Sequence, residues 1–270
     1  MARVQGMVAL NSGFKSFSIY EPRDLSLDFK IRNAETLTYS RGAGFWIWKP
    51  RIILDHLKKI APDEIVLYLD CGVLPNLQAE EYCSLIIDER IHLWALNGES
   101  YLEWTDPDVL SRFANLDNTD FGMIQAGIIL AKNNRNFTQF LEEWLSRCEK
   151  PDLLRPETLP NYQPSSKIKW HRHDQSLLNI LVRENTNSFV ITNRARPGES
   201  ILPYFDIHRN LYVKTLFHVR LYPSLRLLRH KIINVLPISL RIVLRQFWSR
   251  KKKKNIDERE LKAISRGFDR

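Results

Sequence analysis

Glu64 to Asp70 reads EIVLYLD, five apolar or aromatic residues in a row closed by a carboxylate. An unbroken run of this length and β-branched content predicts a strand, and the lack of polar alternation predicts one covered on both faces of a sheet. Ligands of open α/β sheets gather beyond the carboxyl ends of strands. Asp70, followed by Cys71 and Gly72, is therefore placed to emerge at a ligand edge. The alternative is that it caps the turn before Val73, since aspartate is a common turn residue.

Outward from this run, apolar stretches alternate with helical periods. SFSIYEP (16–22) is expected as a strand and 50–60 as a helix with Ile53, Leu57 and Ile60 on one face. A helix over 78–90, strands over 91–97 and 123–132, a helix over 135–148, a helix over 174–183 and a last strand over 189–193 follow. In the helix at 135–148, Phe137, Phe140, Leu141, Trp144 and Leu145 share the inward face. The alternation predicts an α/β sandwich: a mostly parallel sheet with helices on both faces.

With 270 residues and 44% hydrophobic content, the chain can bury one good core. Cys71, Cys83 and Cys148 are odd in number and far apart, which fits neither a disulfide framework nor a zinc finger and suggests a reducing compartment. No apolar run approaches the ~18 residues of a membrane span, and no basic segment followed by an apolar one opens the chain. The expected location is cytoplasmic. The formal charge of +9 is unevenly spread: 207–254 holds thirteen lysines and arginines and no acid, whereas 1–206 holds twenty-three basic against twenty-seven acidic residues. The expected organisation is a globular domain over 1–206 and a basic helical arm over 207–270.

Two further segments carry chemistry. RGAGFWIWKP (41–50) brings two glycines, two tryptophans and a lysine to a helix start, where free N–H groups and the dipole suit an anion. Read as an extended run, it would point Trp46 and Trp48 to the same side. HRHDQSLLNIL (171–181) alternates His171 and His173 before Asp174, which can cap the helix buried by Leu177, Leu178 and Leu181. Two histidines and a carboxylate also match the residue types of a metal site, without a third spaced ligand.

Taken together, RGAGFWIWKPRIIL, VLYLDCG, EWTDPDVL, IQAGIILAKN with FLEEWL, and HRHDQSLL resemble a family of GT-A-fold, nucleotide-diphospho-sugar transferase-like proteins, in the right order from about Gly13 to Asn193. The resemblance implies a glycosyltransferase that moves a sugar from a nucleotide-diphosphate donor to a glycan or lipid-linked acceptor. It implies that Arg41, Gly42, Gly44, Trp46 and Lys49 line the donor cleft, with Lys49 as a point charge, Trp46 nearer the ligand and Trp48 buried. Asp70 matches the first acid of the family's Asp-x-Asp metal motif, whose third position is Gly72 here. A Mn²⁺ or Mg²⁺ ion on Asp70 would then draw on His173 or Asp174. Gln125 would face the sugar, with Ala126 and Gly127 leaving room for it, and Asp174 would orient or deprotonate the acceptor hydroxyl.

Two departures bear on this. Asp106-Pro107 stands where relatives carry a basic pair, and the opening MARVQGMVALNSGF reads as the end of a first helix, so the fold's opening strand is expected to be missing. The alternative function is a non-catalytic binding module of the same fold, and a metal hydrolase built on His-x-His-Asp is a third reading. The arm, with Leu240, Leu244, Phe247 and Trp248 on one helix face and the basic run 250–254 behind it, is expected to lie on an anionic membrane, peripherally on the cytoplasmic face. Its leucines could equally pack on the domain. Nucleic-acid binding is not expected, because aromatics are not interleaved with the lysines.

Overall fold

The computed structural model describes residues 2–193, apart from 76, 97, 115, 118, 120, 164 and 167, together with residues 204–206. The basic arm expected over 207–270 lies outside the described residues. Among those described, no helix is long and apolar enough to cross a membrane.

The described residues fall into two compact units. The smaller gathers residues 2–18, 71–79 and 204–206. Its helix, Ala2–Asn11, packs against strand Val73–Pro75, with Gln5 Nε2 donating to the Val73 carbonyl at 2.5 Å. That strand pairs antiparallel with Tyr204–Asp206.

The larger unit, residues 19–70 and 80–202, holds an open four-stranded sheet. We number the strands β1 (Ile65–Leu69), β2 (Val73–Pro75, in the smaller unit), β3 (Ile91–Leu96), β4 (Met123–Lys132), β5 (Phe189–Asn193) and β6 (Tyr204–Asp206, also in the smaller unit). The sheet order is β1-β4-β3-β5. β4 runs antiparallel to both β1 and β3, and only β3 and β5 pair in parallel. The fold is thus mixed α/β, but the expectation of a mostly parallel sheet is not met. β4 re-enters from the end at which β3 left, after a connection over 97–122 whose described elements are the short turns Tyr101–Glu103 and Pro107–Leu110.

Three helices cover one face of this sheet: Trp48–Leu57, Arg135–Cys148 and Asp174–Glu184. Phe137, Phe140, Leu141, Trp144 and Leu145 are all buried as their 3.6-residue spacing requires, and they join Ile53, Leu57, Leu177, Leu178, Ile91, Leu93 and Ile129 in one core. The three helices share that face rather than dividing between two. The opposite face of β3 presents His92 and Trp94, stacked 4.5 Å apart between ring centres.

Three local expectations also fail. Residues 16–22 form no strand. Pro22 instead starts a 3-10 turn, which Asp24 closes by accepting from the Glu21 N–H at 2.7 Å. The helix expected over 78–90 runs only Ala79–Ser84, where the Ser84 hydroxyl donates to the Glu81 carbonyl. β1 is an edge strand whose residues are all partly exposed, so its apolar run is not covered on both faces.

Candidate functional site

Strand alternation sets Val66, Tyr68 and Asp70 on the face that the helices cover. Asp70 extends the β1–β4 ladder by one residue, its N–H donating to the Gly127 carbonyl at 2.9 Å. A methyl group at position 127 would come within 3.0 Å of Asp70 Oδ2. The room left by Gly127 therefore accommodates the Asp70 carboxylate. Tyr68, two residues back on the same face, donates its hydroxyl to Asp70 Oδ1 at 2.7 Å.

Lys49 and Asp174 complete the centre. Each stands in the first turn of a helix, and both helix starts converge on Asp70. Asp174 suits the positive end of a helix dipole and Lys49 does not, so Lys49 needs carboxylates to hold its charge there. It has them: Nζ lies 3.0 Å from Asp174 Oδ2 and 3.4 Å from Asp70 Oδ2. The contact to Asp174 is an ion pair between two buried groups. Side-chain exposure is 3% for Lys49, 4% for Asp174 and 33% for Asp70.

Burial pushes the Asp174 carboxyl up to about 6; Lys49 pulls the other way and Asp70 adds to the rise. Burial also acts against the Lys49 ammonium, but the two carboxylates outweigh it and hold the group above its ordinary value. Lys49 is thus a charged strut between two acids, with no open face for a phosphate. Asp70 is the member of the three that reaches solvent.

Beside this centre, the RGAGFW segment adopts a form its sequence does not announce. Gly42, Ala43, Gly44, Phe45 and Trp46 have φ of 57°, 48°, 93°, 55° and 59°, a full turn of left-handed sense closed by Phe45 N–H to Arg41 O at 2.8 Å. For the three non-glycine residues this costs ~1–2 kcal/mol each. The expected extended run, with Trp46 and Trp48 on one side, is replaced by this turn. Trp46 folds back over Gly42, where a methyl group would meet its ring at 2.4 Å. Trp48 donates its indole N–H to the Gly42 carbonyl at 2.9 Å and lies against the core. Both tryptophans are partly exposed.

The turn delivers Arg41 to His173. Arg41 Nε donates to His173 Nε2 at 2.8 Å, while His173 Nδ1 donates to the Leu154 carbonyl at 2.9 Å. These partners fix a neutral ring with its hydrogen on Nδ1. Burial, the largest effect, keeps the His173 pKa down at about 3. His173 is fully buried, its own φ of 49° and ψ of −118° are unusual, and its ring lies 4.5 Å from that of Phe45 and 6.1 Å from that of Trp46. Arg41 is exposed, with its guanidinium carbon 5.2 Å from the centre of the Trp170 ring.

His171 takes the opposite tautomer, accepting from the Asp106 N–H at 3.2 Å and donating from Nε2 to the Leu153 carbonyl at 3.0 Å. Asp106, at a position where the transferase resemblance predicts a basic residue, caps the helix start at Pro107 and accepts from Tyr162 at 2.8 Å. It has a structural use of its own.

Of the residues picked from sequence, Lys49, Asp70 and Asp174 are thus joined directly, and Arg41, Gly42, Gly44, Trp46 and His173 by the left-handed turn. Gln125 sits on β4, two residues before Gly127, and is 8% exposed. Tyr68 and Trp170 were missed. A Tyr-x-Asp pair on one strand face was the available sign for Tyr68.

The residues do not fit a divalent ion on Asp70 and His173. Both ring nitrogens of His173 are engaged, and the Lys49 ammonium lies between the two carboxylates. Among the described residues, no group of three His, Cys, Asp or Glu is placed to hold a metal. Comparisons with models of protein families, with curated proteins and with solved structures give no match, so the resemblance to transferases rests on the quoted sequence blocks.

Proposed function

We propose that this chain is a glycosyltransferase acting on a nucleotide-diphospho-sugar, with the donor held over Asp70. The observation that carries the reading is the meeting of Lys49, Asp70 and Asp174, from two helix starts and a strand end, around one half-exposed carboxylate. Buried charged groups are costly and are kept where a site needs them. Asp70, fixed by Tyr68 and Lys49, is oriented to accept a hydrogen bond from a hydroxyl. In the transfer, the acceptor oxygen bonds to the anomeric carbon, the bond from that carbon to the diphosphate oxygen breaks, and the hydroxyl proton passes to Asp70. This moves the contact with the acceptor from Asp174, which is nearly fully buried, to its partner across Lys49. The basic arm would bring this site to a lipid-linked acceptor at an anionic membrane surface.

A panel of nucleotide sugars, incubated with the protein and assayed for release of nucleoside diphosphate, tests the reading. Release with one donor, lost in Asp70→Asn with the fold retained, supports it. Binding of a nucleotide sugar without turnover would favour the second reading, a binding module, which the burial of Asp174 also favours.

A further inference from the structure

A site for a diphosphate needs positive charge directed at the phosphate oxygens. Two cations stand in this site, and the structure treats them differently. Lys49 is spent on Asp70 and Asp174 and is 3% exposed. Arg41 is exposed and is held from beneath by a fully buried, neutral imidazole.

We infer that Arg41, set in place by His173, is the group that holds the donor's phosphates, and that the diphosphate is bound without a divalent metal. The inference rests on the transferase reading and changes what the site asks of its ligand. The nitrogen that a metal on His173 would need, Nε2, is the one that accepts from Arg41. Bound through Nε, the guanidinium keeps its two terminal nitrogens for a bidentate contact, the geometry that suits phosphate. Trp170 lies beside the guanidinium and Trp46 beside the imidazole, so flat faces for a sugar or a base flank the charge. Glu157 also approaches the imidazole, its Oε1 3.5 Å from His173 Nδ1. Burial raises the Glu157 pKa, while the charge of Arg41 pulls it the other way. The strained turn fits the same purpose. Five successive positive φ values are what carry the chain from Arg41 round to Lys49, and strain of this kind is kept where a ligand needs a set geometry. His173 is here a positioning residue.

The test is titration calorimetry of the full chain with inorganic pyrophosphate and with UDP, GDP, CDP and ADP, each in EDTA and again in Mn²⁺. At least one of these probes should bind in EDTA, with affinity changed less than about threefold by Mn²⁺. Arg41→Gln should weaken it tenfold or more, and Arg41→Lys, which keeps the charge but loses the fork, should recover only part. Thermal melting confirms that the variants fold, as expected for an exposed side chain. A second readout needs no variant: imidazole ¹⁵N spectra should show His173 neutral with its proton on Nδ1, unbroadened by added Mn²⁺. Binding that appears only with Mn²⁺, selective broadening of His173, or Arg41→Gln binding like the parent would each overturn the inference and leave the transferase reading standing. No binding of any probe in either medium would overturn both.

Discussion

Lys49 and Asp174 meet at 3.0 Å with neither side chain more than 4% exposed, while the third member of the cluster, Asp70, stands a third in solvent. That asymmetry separates stability from ligand contact. Lys49→Met leaves a buried carboxylate without its cation and should destabilise the fold by about 3–5 kcal/mol. Asp70→Asn should cost about 1 kcal/mol or less, because that partner is solvated. Urea unfolding of the two variants decides: equal losses would mean that the cluster is not layered in this way.

Acid should act through opposed groups. Asp174 has a folded pKa of about 6 against an ordinary 3.8, so its contribution is fully present below 3.8 and is lost as pH rises through 6. His171 and His173, at about 4 and about 3 against 6.5, contribute stability that is present above 6.5 and lost as pH falls through those values. At 1.36 kcal/mol per pH unit, the histidines together outweigh Asp174, about 8 against about 3 kcal/mol. The protein should therefore lose stability between pH 6.5 and 4. In Asp174→Asn the compensating term is gone, and the loss should be larger by about 3 kcal/mol. Denaturant midpoints at pH 7, 5.5 and 4.5 measure this, and an equal or smaller loss in the variant would contradict it.

Gly127→Ala should leave the fold within about 1 kcal/mol of the parent, since the added methyl meets a carboxylate that can move. The displaced carboxylate is Asp70, at 3.0 Å, so turnover should fall at least tenfold. Unchanged turnover would show that the position of Asp70 does not matter.

Much of this was legible from spacing. The helix Arg135–Cys148 and the strand Met123–Lys132 match their apolar periods to the residue, and EIVLYLD placed Asp70 correctly at a strand end. Strand direction was not legible, because the apolar runs here suit either direction and the β3–β4 connection is long enough for either a crossover or a direct return. The turn at 42–46 was hidden for another reason. Two glycines permit positive φ at two positions, but Ala43, Phe45 and Trp46 follow them against their own preference, driven by contacts far along the chain. His173 looked like a ligand because alternation with His171 was visible, while the carbonyls of Leu153 and Leu154 that claim the two rings were not.

The turn gives paired substitutions of opposite sign. Ala43→Gly relieves ~1–2 kcal/mol of left-handed strain and adds ~0.5–1 kcal/mol of chain entropy cost, so it should be neutral or stabilising by up to about 1.5 kcal/mol. Gly44→Ala puts a methyl group at φ 93°, 3.0 Å from the Thr36 carbonyl oxygen, and should cost at least about 2 kcal/mol. Thermal unfolding ranks them, and a stabilised Gly44→Ala would refute the assigned hand.

For the basic arm, replacing Arg250, Lys251, Lys252, Lys253 and Lys254 by glutamine should weaken co-sedimentation with vesicles containing anionic lipid, by about 1 kcal/mol per charge at low salt. Equal pelleting of both proteins would remove the electrostatic part of membrane docking.

The left-handed turn also decides what kind of damage this protein tolerates. Its conformation is closer to one that mirror-image residues would choose, so the local sequence does not specify it and the surrounding core must impose it. Any lesion that loosens the packing of Phe45 or His173, however far from solvent, lets residues 42–46 relax to the ordinary hand and carries Arg41 away from its place. Binding should then fail in molecules that still look folded by every bulk measure, and the loss of function would precede the loss of structure.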